Sequence, residues 1–158
     1  MIKTISPNEV KNILEQEFFD CKWDKAFHFL PAELCDWAIL SNFKISKHDI
    51  DKWEDFEFGR IDFEIDDFRD LIFNNEYPKA TEVLFISEES LIKGKAFSFT
   101  TDDFDNFATF YENTFVMSFF QPLDYIVYFR DQKEIKIIHH DGNLLKINKA
   151  ESNQNQIK

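Results

Sequence analysis

His139, His140 and Asp141 are the one place in this 158-residue sequence where two histidines and a carboxylate, side chains able to hold a metal ion, stand side by side. A zinc-type ion takes imidazole nitrogens and carboxylate oxygens in a tetrahedral set. Successive strand residues point to opposite faces, so the pattern predicts that His139 and His140 do not share an ion. No well-spaced third ligand follows, and the pair reads as rim histidines beside a turn. A thiolate nucleophile needs a base within reach. Cys21 with His28, or Cys35 with any histidine, carries no such signature, and both cysteines read as buried, reduced thiols. Nothing favours a particular Ser-His-Asp set or gives His48 a role. Three dispersed glycines, Gly59, Gly94 and Gly142, cannot build a phosphate-cradling loop or a nucleophile elbow. The expectation is a non-enzymatic chain with no catalytic residue, no cofactor and no metal.

The other concentration of chemical groups is acidic. Between Asp49 and Asp70 stand ten carboxylates against Lys52, Arg60 and Arg69, which places seven of the chain's twelve net negative charges in 22 residues. An EF-hand loop needs acids at alternate positions followed by a glycine and a closing glutamate, whereas Asp49-Ile50-Asp51 runs into Lys52-Trp53. Paired catalytic carboxylates of the glycosidase kind need a measured separation in a cleft, and with 30 acids in the chain no pair stands out. Trp53, Phe56, Phe58, Phe63 and Phe68 are threaded between the acids, which gives the stretch a buried side and an acidic outer side. A net charge of −12 and a pI near 4.7 oppose nucleic-acid binding and favour a basic protein partner. The partner-binding candidates are Asp51, Glu54, Asp55, Glu57, Asp62, Glu64, Asp66 and Asp67. No signal peptide and no membrane span are evident, which predicts a cytoplasmic protein.

The elements that must position these groups suggest one α+β domain over 1–149 with a mainly antiparallel sheet, then a flexible tail over 150–158. Ser6-Pro7-Asn8-Glu9 is a capping-box start for a helix near 7–19, with Val10, Ile13, Leu14 and Phe18 on one face. Trp37-Ala38-Ile39-Leu40 fits either a helical face or a short buried strand. Ser46-Lys47-His48-Asp49 resembles a second helix start, with Ile45 and Ile50 as a staple. From Phe56 to Ile65 the apolar residues alternate across Gly59-Arg60, which predicts a tight hairpin or a glycine bulge, with Phe56 opposite Phe63 and Glu57 opposite Asp62. A helix near 66–75 follows. Strands are expected over Glu82–Ser87 and Lys95–Thr100, then a helix near 101–115 capped by Thr101. DYIVYFR, EIKIIHH and LLKI form a C-terminal β-meander, with Asp141-Gly142 as a type I′ turn.

A small acidic α+β chain with few glycines, few cysteines and no catalytic signature, ending in the DYIVYFRDQKEIKIIHHDG hairpin, resembles the bacterial immunity proteins of polymorphic-toxin and contact-dependent inhibition systems. The resemblance is one of general character and carries over no individual residue. It implies tight binding to a cognate toxin, commonly a basic nuclease. Two other classes stay open: a small hydrolase with a carboxylate and histidine cleft, and a structural or adaptor protein.

Overall fold

The computed structural model describes residues 1–17 and 43–149. Strand β1 (Lys3–Ile5) leads into helix α1 (Pro7–Glu17). Strand β2 (Phe43–Asp49), the short helix α2 (Trp53–Glu57) and helix α3 (Ile65–Ile72) come next. Strand β3 (Glu82–Ser87), helix α4 (Glu88–Lys93) and strand β4 (Ala96–Thr100) follow. A 3-10 turn over Thr101–Asp103 opens helix α5 (Phe104–Phe115). Strands β5 (Tyr125–Phe129), β6 (Glu134–His139) and β7 (Asn143–Lys149) complete the described chain. The seven strands form one sheet in the order β1-β4-β3-β5-β6-β7-β2, with every neighbouring pair antiparallel. The α+β class and the C-terminal meander expected from the sequence are both present.

β3 and β5 lie inside the sheet and are buried on both faces, which is why EVLFIS and YIVYF are nearly continuous in apolar residues. The register sets Phe85 opposite Val127 on one side and Phe97 on the other. Val83, Phe85, Phe97, Phe99, Tyr125, Val127 and Phe129 thus share an aromatic face, covered by Phe68 and Ile72 of α3 and by the Phe104–Phe115 stripe of α5. The opposite face is aliphatic, with Leu84, Ile86, Ile126, Ile135, Ile137, Leu145 and Ile147 packed against Val10 and Leu14 of α1. Burying each such side chain contributes about 1.5–3 kcal/mol, so the two faces dominate stability. The start of α1 carries the expected capping box, Glu9 N–H to Ser6 Oγ at 3.1 Å and Ser6 N–H to Glu9 Oε1 at 3.2 Å. Its far end is tied down by Glu17, which accepts from Tyr128 Oη at 2.7 Å and from Arg130 Nη2 at 2.5 Å.

Several local expectations change. Residues 56–65 are not a hairpin. Trp53 and Phe56 are one helical turn apart and bury together in α2, and Gly59 stops that helix. Residues 46–49 belong to β2 and not to a helix, because pairing with β7 from Phe43↔Lys149 to Asp49↔Asn143 outweighs the local capping signal. Ile45 is accordingly exposed while Ile50 is buried. Thr101 does not cap α5. Its hydroxyl donates to Pro78 O at 2.8 Å, and the first α-helical turn starts three residues later. α3 begins at Ile65 and ends at Ile72, since Asn74 and Asn75 take left-handed backbone at φ 45° and 56°. The loop expected around Gly94 contains α4, with Ser87 accepting from Ser90 N–H at 3.3 Å as its cap. Phe18, Cys21, His28, Cys35, the alternatives for Trp37–Leu40 and the tail over 150–158 lie outside the described residues.

Val116 ends α5 in the left-handed region at φ 55°, ψ 52°, with its side chain 87% exposed. A β-branched residue there is strained, and that position at a helix end usually falls to glycine. Val116→Gly is predicted to raise unfolding free energy by about 1 kcal/mol, read from urea melts. Glu17 gives a second prediction. Burial raises its pKa, but the hydrogen bonds from Arg130 and Tyr128 outweigh this and hold it below the usual carboxylate range. The stabilisation is therefore present above the unfolded carboxyl pKa and is lost as pH falls through the lower folded value. Glu17→Gln is expected to be less stable than wild type at pH 7, with the gap closing in urea melts toward pH 3.

Candidate partner-binding face

α2 lifts the acidic stretch onto an aromatic floor. Lys52, at φ 62°, turns the chain out of β2, and Phe56 N–H bonds back to Lys52 O at 3.1 Å. At the other end Gly59 N–H donates to Phe56 O at 3.1 Å and Arg60 N–H to Asp55 O at 2.7 Å. That pair of bonds, with Gly59 at φ 76°, is a Schellman stop. The underside is a cluster of four rings. Phe56 lies 4.3 Å from Phe63 and 5.3 Å from Phe120, with Trp53 5.3 Å from Phe56 (ring centroids). Phe120 meets Phe68 edge-on at 5.2 Å, which joins the cluster to the main core. The pairing of Phe56 with Phe63 expected from a hairpin is thus made, but by a helix and the loop after it.

Trp53 also fastens α2 to the β6–β7 hairpin. Its indole N–H donates to His140 O at 3.1 Å, and Ile50 N–H donates to Gly142 O at 2.8 Å. The indole packs so closely on Gly142 that a Cβ there would sit 2.7 Å from Trp53 Cγ, and Gly142 itself has φ 94°. Glycine is required at this point on both counts.

The eight candidate carboxylates divide into two groups. Asp55 pairs with Arg60 at 3.0 Å, and Asp66 pairs with Arg69, which also reaches Asp105. Asp67 Oδ2 accepts from Glu64 N–H at 2.7 Å, so Glu64 and Asp67 form the start of α3. Asp51, Glu54, Glu57 and Asp62 are exposed and make no ion pair or side-chain hydrogen bond among the described residues. Glu57 and Asp62 do not face each other across a hairpin. They share the rim of a groove of about 590 Å³ with Glu64 and Glu112, over a floor that includes Phe56, Phe63, Phe119 and Phe120. On the other side of α2 a second groove of about 510 Å³ is bordered by Asp49, Glu54, Asp55, Glu57 and Asp141. The two grooves meet at Glu57. Phe58 stands beside them, 65% exposed, with the Arg60 guanidinium 5.4 Å above its ring.

The histidines behave differently from the expectation that they diverge. β6 ends at His139, which pairs with Asn143 across a three-residue loop closed by Gly142 N–H to His139 O at 2.8 Å. Asp141 does not take positive φ, so the turn is not type I′ but the three-residue kind with glycine in the left-handed position. His140 has left the strand, and its ring lies 4.2 Å from that of His139. The premise that separated the two rings does not hold. Asp124, at the approach to β5, accepts from His140 N–H at 2.7 Å and stands 3.0 Å from His140 Nδ1. Among the described residues, Asp124, His139 and His140 are the one group of side chains close enough together to hold a metal ion. Burial pulls the His139 pKa down, only partly offset by Asp124. Burial acts the same way on His140, but the hydrogen bond and charge of Asp124, with Asp141 and Glu88, outweigh it and raise the value. Burial and the nearby Asp124 charge push Glu88 up.

Sequence reasoning missed Phe58 as an exposed ring, Glu112 and Asp141 as groove borders, and Asp124 as the histidines' partner. The helix stop at Gly59 carried a readable signal, Trp53 and Phe56 at i, i+3 before a glycine. Asp124 and Glu112 are brought in only by tertiary structure. No protein-family model, no curated protein and no solved structure matches the chain. No helix among the described residues is long and apolar enough to cross a membrane.

Gly142→Ala is predicted to push Trp53 off its seat at a cost of about 1–3 kcal/mol. The measurement is a urea melt combined with the Trp53 indole N–H resonance, which is expected to shift as its bond to His140 O is lost.

Proposed function

We propose that this is an immunity protein that neutralises a basic bacterial toxin by covering the toxin's cationic surface with the α2 face. One observation carries the reading: Asp51, Glu54, Glu57 and Asp62 are exposed and lack internal partners among the described residues, on and beside a helix whose underside is locked into the core. Carboxylates kept for internal structure would be matched by cations, as Asp55 and Asp66 are. The groove beside α2 has an acidic rim and an aromatic floor, which suits the aliphatic stem and charged head of an arginine or lysine. An exposed aromatic such as Phe58 within a charged rim is the kind of residue that fills a partner's pocket. A toxin that grips phosphates is basic, and a concentrated acidic face speeds its capture.

The test is association with the toxin encoded beside this chain's reading frame, measured by surface plasmon resonance at low and high salt. The triple substitution Glu54→Lys, Glu57→Lys and Asp62→Lys is expected to lower the association rate about tenfold or more at low salt and to flatten its salt dependence. All three side chains are exposed, and circular dichroism checks that the fold is kept. An association rate and affinity equal to wild type would place the interface elsewhere.

A further inference from the structure

The end of the β6–β7 hairpin carries a group of side chains separate from the acidic grooves. One nitrogen from each of His139 and His140 and one oxygen of Asp124 lie within 4.8 Å of one another. His140 Nδ1 is 3.0 Å and 3.3 Å from the two Asp124 oxygens. A four-coordinate zinc with bonds of 2.0–2.1 Å sets its ligand atoms roughly 3.3–3.4 Å apart, so one edge of that tetrahedron already exists. Closing the edges to His139 takes a movement on the order of 1 Å, within reach of side-chain rotation. Asp141 stands at the edge of the group, with Oδ2 3.4 Å from His139 Nδ1 and Oδ1 3.6 Å from His140 Nε2, the nitrogen turned away from Asp124, so the fourth position is left to water.

The backbone that presents these groups is fixed. Asp124 accepts the His140 amide at 2.7 Å, and the Trp53 indole holds His140 O from the other side. Glu88 lies alongside, its amide donating to Asp124 O at 3.2 Å, and adds a third carboxylate to the surroundings. Two imidazoles with a carboxylate suit zinc, nickel or copper, whereas magnesium and calcium favour all-oxygen sites.

We propose that Asp124, His139 and His140, completed by water, bind one divalent transition-metal ion of the zinc class. The ion would clamp the hairpin loop to the approach of β5 and so firm the seat on which Trp53 rests.

The test uses the full chain, stripped with chelator and titrated with zinc chloride by calorimetry at pH 7.5. One saturable site with a dissociation constant on the order of micromolar is expected, along with a thermal midpoint that rises with zinc. His140→Ala and Asp124→Asn are expected to weaken binding roughly tenfold or more, while His48→Ala, an exposed change on β2, leaves it unaltered. The His140 side chain is 53% exposed, so His140→Ala keeps the test valid even where Asp124→Asn disturbs the loop. Absence of saturable binding up to about 100 µM zinc, or binding in His140→Ala equal to wild type, would overturn the proposal.

Discussion

Like charges crowded into one stretch of chain repel, and this fold holds such a stretch in place by giving it an apolar underside packed into the core. Trp53, Phe56, Phe63 and Phe120 pack as one ring cluster. Phe68 ties that cluster to the aromatic face of the sheet. Trp53 then reaches across to His140 O and closes onto Gly142. Several buried aromatic side chains at about 1.5–3 kcal/mol each outweigh the repulsion among solvated carboxylates, where a pair at 4 Å in water costs on the order of 1 kcal/mol. The stretch therefore keeps its charge and its shape together.

The same contact makes the acidic face and the histidine corner neighbours. Asp141 borders the groove beside α2 and also stands next to both imidazoles. Trp53 has one side in the floor of the acidic face and its indole N–H on the backbone of His140. A change of charge at Asp124, His140 or Asp141 thus acts on the loop that seats α2. The three arginines are spent internally: Arg60 on Asp55, Arg69 on Asp66 and Asp105, and Arg130 on Glu17 and Glu82. This leaves the outer carboxylates of α2 as the part of the acidic stretch that an incoming cation meets.

The five inner strands and α5 were legible in the sequence because their signal is local and repeated: β3 and β5 are apolar throughout, β6 and β7 flank an Asp-Gly turn, and the α5 stripe is regular, whereas the edge strand β1 was not expected. The acidic stretch was misread where two periods fit the same residues. Phe56, Phe58, Phe63 and Ile65 alternate like a strand pair, yet the buried set is Trp53 and Phe56, with Phe58 facing solvent. What decided it was Gly59 as a helix stop and the position of Phe120, more than fifty residues away in sequence, as the surface to pack on. β2 was misread because its partner β7 lies almost a hundred residues later, and no local pattern announces such a pairing. The histidine geometry was misread for a smaller reason: one extra residue in the hairpin loop takes His140 off the strand. Of the eight acidic candidates, four have internal partners, because ion pairs and helix starts depend on neighbours that charge counting does not see.

The acidic face is a rigid, preformed surface and not a charged loop that orders only when something binds. Amide hydrogen exchange of the isolated protein at low ionic strength, where repulsion is greatest, measures this directly. Amides with internal bonds in α2 and its stop, such as Phe56, Phe58 and Arg60, are predicted to exchange slowly, within about tenfold of the β6–β7 hairpin amides, at both low and high salt. Exchange of those amides at the unfolded rate in low salt, with β5 and β6 still protected, would contradict it.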